Sequence, residues 1–519
     1  MAMDLQRIEI KNPTGILTDP NPSDLPLEAW TSGNNIKFRN GKVEKADGYS
    51  TVFPTPLEAP LNIFPFLSNS TPYWVSAGAT KIYRTFGTAW VDFSRLVGGP
   101  YTASLTNQWT GGFLSGVHIL NNPVDIPQSL LPNDSNYTDL PNWPSTHRCK
   151  VMRSFKNYLV ALNLTVSSVR QPTTLKWSSP ADPGNVPFTW DPTDPTNDAG
   201  ETSLADTPGE IVDARKLRDT MVIYKEDSVY SMRYIGGVFV FQFQQLFDDV
   251  GMLGSNCVAE FDGKHFVVGQ GDVYIHNGVQ KSSIIDGKMK DFLFDAIKND
   301  AQKNTFVIPD YSNTEMWICF PVSTGSSTAG YCDKALIWNW VENKWTLRDV
   351  PELIDANIGI VDPQESDSWN DDPNAWDTDI TSWGSQTYNP SKQKILLASN
   401  LHNKIYVVGE SNTFDGATFT STLEKSDLYF GDDHKIKVVN SVAPHLSGVG
   451  QAKVYIGTSM LQDSPVEWFG PFTLQIGQDY KIDSRYMGRY VGVRFQFDSS
   501  GTWVLNGYTL EFTPTAGKR

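Results

Sequence analysis

Short runs of alternating apolar and polar residues, closed by glycine-bearing turns, recur through most of the chain, most clearly between residues 211 and 287. There Met221-Val222-Ile223-Tyr224 and Val229-Tyr230-Ser231-Met232 flank the charged turn Lys225-Glu226-Asp227-Ser228. Gly236-Gly237, Gly271-Asp272 and Asn277-Gly278 close the runs that follow. β-Branched and aromatic residues in short stretches between such turns predict hairpins. The longer apolar period of a helix is scarce, and residues 288–300 are its best candidate.

The same order of strand, small-residue turn, strand with a Tyr and strand with a Trp begins near residue 58, in Tyr73-Trp74-Val75, Lys81-Ile82-Tyr83 and Ala89-Trp90-Val91. It returns at 146–177, 218–243, 256–285, 304–348 and 393–430. Each unit is too small to stand alone, and packing the units side by side in a ring buries their faces. The expected fold class is therefore all-β, a β-propeller of about six blades spanning 58–430. Residues 98–145, 178–209 and 362–392 break the rhythm and are expected to be inserted loops. Residues 1–57 read as an arm kept extended by Pro13, Pro20, Pro22 and Pro26 and anchored by Trp30. It ends in a hairpin turned by Asn40-Gly41. Residues 431–519 alternate cleanly and predict a β-sandwich-like C-terminal sheet.

Composition sharpens this picture. In 519 residues, 40 Gly, 32 Pro and 12% aromatics fit a turn-rich β protein with a sizeable core. A net charge of −16 removes the basic face that groove-reading DNA binding needs. An acidic wall still suits a passage for DNA, because it keeps a polyanion from sticking. Cys149, Cys257, Cys319 and Cys332 form no CxxC or CxxH pair and are expected to be reduced thiols. Residues 1–11 alternate in charge with no apolar core, so no signal peptide is expected, and no run is long enough for a membrane-spanning helix.

The usual markers of phosphate-loop, serine-hydrolase, zincin and dinucleotide chemistry are missing, so neither enzyme activity nor a cofactor or metal is expected. His265 and His276 fall on neighbouring strands and read as ordinary sheet histidines. Asp191, Asp194 and Asp198 sit in a proline-stiffened stretch that reads as a turn cluster rather than a calcium loop. Asp371-Asp372 and Asp377 with Asp379 have the spacing of paired carboxylates, yet nothing beside them raises one pKa. A solvated acidic loop is the better reading. Long loops on a stiff ring are working parts or partner contacts, so Trp369, Asp371, Asp372, Trp376, Asp377 and Trp383 are the candidates for partner or channel contact.

Several ordered segments carry a family resemblance: Asn34-Asn35-Ile36-Lys37-Phe38-Arg39-Asn40-Gly41-Lys42-Val43-Glu44-Lys45, Lys176-Trp177-Ser178-Ser179-Pro180, Thr189-Trp190-Asp191-Pro192, and Asn197-Asp198-Ala199-Gly200. The most specific is Ile223-Tyr224-Lys225-Glu226-Asp227-Ser228-Val229-Tyr230-Ser231-Met232-Arg233-Tyr234-Ile235-Gly236-Gly237. Together they resemble the tail nozzle, or tail-hub, proteins of short-tailed phages, also called packaged-DNA stabilisation proteins. The likeness covers roughly residues 30–290. It implies a structural virion protein made in the host cytoplasm, forming a homo-hexamer below the portal and head-to-tail adaptor ring. Such a ring extends the channel for double-stranded DNA without reading its sequence and retains the packaged genome. It also supports tail spikes or fibres and a tail plug or needle. The alternative is a carbohydrate-binding or glycan-degrading phage propeller, since Trp beside Asp suits sugar stacking.

Overall fold

The computed structural model describes residues 5–68, 71–85, 89–237, 239–323, 330–361 and 393–515. Strands dominate, and the expected helix is a two-turn piece, Lys290–Ala296. Five consecutive antiparallel sheets have four strands each, and their innermost strands are Asn62–Ser68, Thr110–Leu114, His147–Phe155, Ile211–Leu217 and Val258–Phe261. We number these blades 1 to 5.

Blades 6 and 7 share one strand. Lys344–Ile360 is seventeen residues long; its first half pairs with Cys332–Asn339 and its second half with Gln393–Ser399. Pro351, which cannot donate to a ladder, and Glu352, held at φ 49°, mark the crossing. Blade 6 thus runs from Phe306–Asp310 outward. Blade 7 runs from the second half of the shared strand through Lys404–Val408 to Tyr49–Thr51, a strand from the start of the chain. That last pairing closes the ring.

The blades meet edge to edge. Asn62 Oδ1 accepts the Trp109 N–H at 2.9 Å between blades 1 and 2. Trp74 Nε1 donates to Ile360 O at 2.8 Å, and Ile63 N–H donates to Asp355 Oδ2 at 2.9 Å, between blades 1 and 7. Five four-stranded sheets and one seven-stranded sheet in a closed circuit make a seven-bladed propeller, one blade beyond the expected count. The extra blade lies in 98–145, a stretch expected to be an insertion. Its strands are only two to five residues long, Thr110–Leu114, Val117–Asn121, Gln128–Leu130 and Thr138–Asp139. Gly111 is required there, because a Cβ would stand 2.1 Å from Ile119 O. Glycine and short length disguise this blade as loop.

Residues 178–209 do depart from the ladder and return with Gly200–Ser203 as the outer strand of blade 3. Trp177 lies flat over Gly200, where a Cβ would meet its ring at 2.2 Å, and its Nε1 donates to Asp198 O at 2.8 Å. Tyr158 Oη donates to Asp198 Oδ2 at 2.9 Å. The Trp177…Asp198-Ala199-Gly200 pattern is therefore one packing unit.

Beside the ring stand two facing sheets. One orders Ile482–Gly488, Lys437–Gly448, Trp503–Pro514, Lys42–Lys45 and Ile36–Arg39, with Gln6–Lys11 also on Trp503–Pro514. The other orders Glu467–Gln475, Gln451–Ser459, Tyr490–Phe497, Ser421–Leu428 and Ser32–Asn34. Trp30 is buried between them against Phe495 and Tyr508. The N-terminal hairpin forms where expected, as strands of this sandwich. One apolar core runs from the sandwich into blades 5 and 6, through Trp338, Trp345 and Phe266.

Candidate functional site

Several inner-strand side chains at the ring centre are polar: Asn62 and Thr110 on blades 1 and 2, Arg153 on blade 3, Asp213 and Arg215 on blade 4, and Asp355 and Asn357 on blade 7. Asn256 enters just before blade 5. At the ends where the inner strands finish, a cavity of about 320 Å³ is lined by Asn62, Arg153, Arg215, Asn256, Tyr311 and Asp355, among others. At their starting ends a second cavity of about 370 Å³ is lined by Lys150, Glu210, Asp300 and Lys303, among others. Trp109, Thr110 and Asn256 line both.

A buried ion pair holds the middle of the axis. Arg153 Nε and Nη2 donate to the two oxygens of Asp213 at 2.8 and 2.7 Å, while Nη2 also reaches Asn256 Oδ1 at 3.0 Å and Nη1 reaches Gly111 O at 3.1 Å. Four blade regions are tied by one guanidinium. Burial opposes ionisation of Asp213, but Arg153 more than offsets it, so the carboxyl lies below its ordinary value. In the second cavity, burial pushes Glu210 up, while Lys150, Asn163 and Lys303 bring it down to about 2. Lys150 Nζ stands at 3.1 Å, Arg170 Nη2 at 2.6 Å and Lys303 Nζ at 3.4 Å.

Arg215 differs. Protein encloses it, yet its side chain keeps contact with the solvent of the axial cavity. Among the described residues no acceptor stands within hydrogen-bonding or ion-pair distance of it. Burial and the nearby Arg153 both disfavour its charge. Asp355, across the cavity, is pushed up by burial to about 7, although Ile63 N–H and the Asn62 side chain favour its charged form.

Behind the axis, blades 4 and 5 are pinned by a closed relay. His265 Nε2 donates to Lys216 O at 2.9 Å, which leaves Nδ1 to accept the Tyr224 hydroxyl at 2.6 Å. Tyr224 Oη then accepts from His276 Nε2 at 2.7 Å, and His276 Nδ1 accepts the Gly278 N–H at 3.2 Å. Both rings must be neutral, and no place remains for another proton. Burial lowers His265 to about 3 and His276 to about 4. The two histidines do meet, as sheet neighbours sharing a tyrosine.

Opposite pH dependences follow from these groups. Below its ordinary pKa of 6.5 an unfolded His276 binds a proton that the folded protein refuses, so its contribution to stability falls with acidification from about 6.5 to 4. Asp355 keeps its proton in the fold and loses it when unfolded, so its contribution falls as pH rises from 3.8 to about 7. Each is worth about 1.4 kcal/mol per pH unit within its window. Urea midpoints of Asp355→Asn should therefore rise more steeply than wild type between pH 5 and 6.5, gaining roughly 2 kcal/mol over that span. Those of His276→Gln should rise less steeply. Parallel profiles for all three proteins would refute the assignment.

The six residues expected to contact a partner or channel, Trp369, Asp371, Asp372, Trp376, Asp377 and Trp383, lie outside the described residues. The chain leaves the described part at Val361, just past the inner strand of blade 7, and re-enters at Gln393, paired with Ile360. Asp191 and Asp194 accept Thr193 N–H and Thr196 N–H, each at 2.9 Å, as expected of a turn cluster. The four cysteines are free and buried. Among the described residues no three His, Cys, Asp or Glu side chains group to hold a metal. None of their helices is long and apolar enough to cross a membrane. Sequence reasoning missed the axial residues. Their signal was charge inside inner strands, Arg153 in one of them and Asp213-Ala214-Arg215 in another.

No family model matches the chain, and no curated protein does. Some solved structures align with it weakly. The N-terminal domain of Nup159 aligns with a TM-score of 0.38 at 10% identity, covering 76% of this chain and 99% of that one. The AfRom2 CNH domain aligns with a TM-score of 0.36 at 10% identity, covering 70% and 98%. The extracellular domain of a hybrid two-component system from B. thetaiotaomicron aligns with a TM-score of 0.40 at 9% identity, covering 72% and 41%. Likenesses this slight carry nothing about function, and the fold rests on the seven blades themselves.

Proposed function

We propose that this chain is a structural subunit of a phage tail nozzle, a homo-hexameric ring below the portal and head-to-tail adaptor that extends the DNA channel and retains the packaged genome. One observation carries this reading. Four of the five segments that resemble that family fall within residues 176–237, in blades 3 and 4, while 34–45 forms a hairpin of the sandwich. Trp177 packs on Gly200 and on Phe241, and Tyr158 lies near Tyr234 while donating to Asp198. These contacts draw the blade 3 and blade 4 segments together.

The physical character of the chain supports the same role. Blade 7 is closed by the chain's own beginning, and the sandwich shares that N-terminal segment, which suits a stiff building block. The axial cavity, about 320 Å³ and lined by Arg153 and Arg215, is far too small for a duplex. DNA would pass between copies arranged in a ring, along acidic surface that repels it. The ring's neighbours in this reading are the adaptor above and spike, fibre, plug or needle proteins around and below.

Electron microscopy of the purified protein mixed with portal–adaptor complexes tests the proposal. A sixfold ring capping the adaptor is the expected image. Persistent monomers that leave the adaptor bare at saturating protein would overturn it, and a glycan array decides the carbohydrate-binding alternative.

A further inference from the structure

We propose that the axial cavity of the propeller binds a small oxyanion, a carboxylate or phosphate group, with Arg215 as its anchor. Charge accounting around the cavity leads there. Arg153 and Asp213 neutralise each other, and Asp213 attracts Arg215 only at longer range because both its oxygens are already engaged. Its Oδ1 also accepts Ala214 N–H at 2.7 Å, and its Oδ2 also accepts Asn256 N–H at 3.0 Å. Asp355 accepts Ile63 N–H on the far side of the cavity and pairs with no cation. Glu260 and Tyr311 are the other ionisable groups that Arg215 feels. Tyr311 donates its hydroxyl to Glu260 O at 2.9 Å, and the Glu260 carboxylate makes no ion pair with Arg215.

Arg215 is therefore a cation with no hydrogen-bond or ion-pair partner among the described residues, open to the water of the cavity it lines. A guanidinium offers five donors in a planar fork that fits carboxylate and phosphate. Asn256 adds a second donor, because its Oδ1 is taken by Arg153 while its Nδ2 has no acceptor among the described residues. A cavity of about 320 Å³ lies at the small end of ligand sites, which limits the occupant to a small molecule or the bare ion. The site belongs to the single subunit and is independent of the nozzle reading.

Two variants separate charge from room. Arg215→Gln removes the anchor, and because Arg215 makes no contact the fold depends on, the fold should survive. Gly112→Leu fills the same cavity, since a Cβ there meets nothing closer than Ser154 Oγ at 3.9 Å. Titration calorimetry and thermal unfolding would be run in a low-chloride zwitterionic buffer with inorganic phosphate, glycerol phosphate and succinate as probes, and sodium chloride as the control. Wild type should show saturable binding of at least one probe at millimolar concentration or below, with a matching rise in Tm. Arg215→Gln should weaken it at least about tenfold, Arg215→Lys by less, and Gly112→Leu should abolish it. A phosphate-only or succinate-only response tells which group the site takes. Absence of saturable binding to every probe overturns the proposal, as does binding unchanged in Arg215→Gln or retained in Gly112→Leu.

Discussion

Arg153→Met is expected to destabilise the protein by about 3–5 kcal/mol, because it leaves the Asp213 carboxylate buried with its cation gone. Asp213 is about 1% exposed, so water cannot take over. The loss reaches beyond the pair. Gly111 O on blade 2 and Asn256 Oδ1 before blade 5, both half-buried, also lose a donor. Asp213→Asn alone should cost less, since the amide keeps an oxygen for one Arg153 donor. The double variant Arg153→Met with Asp213→Leu should recover much of the loss, because a buried pair replaced by apolar groups of similar volume is close to neutral. Urea unfolding followed by tryptophan fluorescence reads all three. A double variant no more stable than Arg153→Met alone would mean that the two residues do not act as a pair.

The second large effect concerns ring closure. Deleting residues 1–51 removes Tyr49–Thr51 from blade 7 and four strands from the sandwich. Lys404–Val408 would become an open edge, and Tyr406, now packed against Tyr49 at 5.0 Å, would face water. In the sandwich, Tyr508 would lose Trp30. Aromatic side chains lost from a core cost about 3–5 kcal/mol each, and several go together here. The expected outcome is loss of the cooperative thermal transition, strong binding of a hydrophobic dye and association through the exposed edge. A truncated protein with a sharp transition near the wild-type Tm would show that closure is dispensable. The single variant Tyr49→Ala, which removes the stack on Phe414 at 4.6 Å, should lower stability by a few kcal/mol without abolishing the fold.

Local chemistry explains what the sequence made legible. Hairpins with an apolar run on each side of a short charged turn, such as Thr220–Lys225 with Val229–Tyr234, are visible because both strands and their turn lie within a few residues. Blade 2 is hidden because its inner strand reads Thr-Gly-Gly-Phe-Leu and its outer strand is two residues long. The shared strand of blades 6 and 7 is hidden because Pro351 looks like an end and proves to be a bend. Trp30 is legible as an anchor, but its partners Phe495 and Tyr508 lie more than four hundred residues away. The axial site was out of reach for the same reason. Arg153 and Asp213 read as ordinary charges near turns until seven strands bring them to one axis, and the free state of Arg215 depends on what its neighbours already hold.

The partnership of the first strand with the last has a consequence for biosynthesis. Gln6 sits opposite Phe512, and Lys11 opposite Gly507, so Gln6–Lys11 has no place to dock until the ribosome has made more than five hundred residues. At roughly 5–20 residues per second that delay is on the order of half a minute to well over a minute. The seam of blade 7 can close once residues 404–408 have emerged, but the first strand stays unpaired to the end, and a nascent molecule cut short of residue 507 cannot dock it.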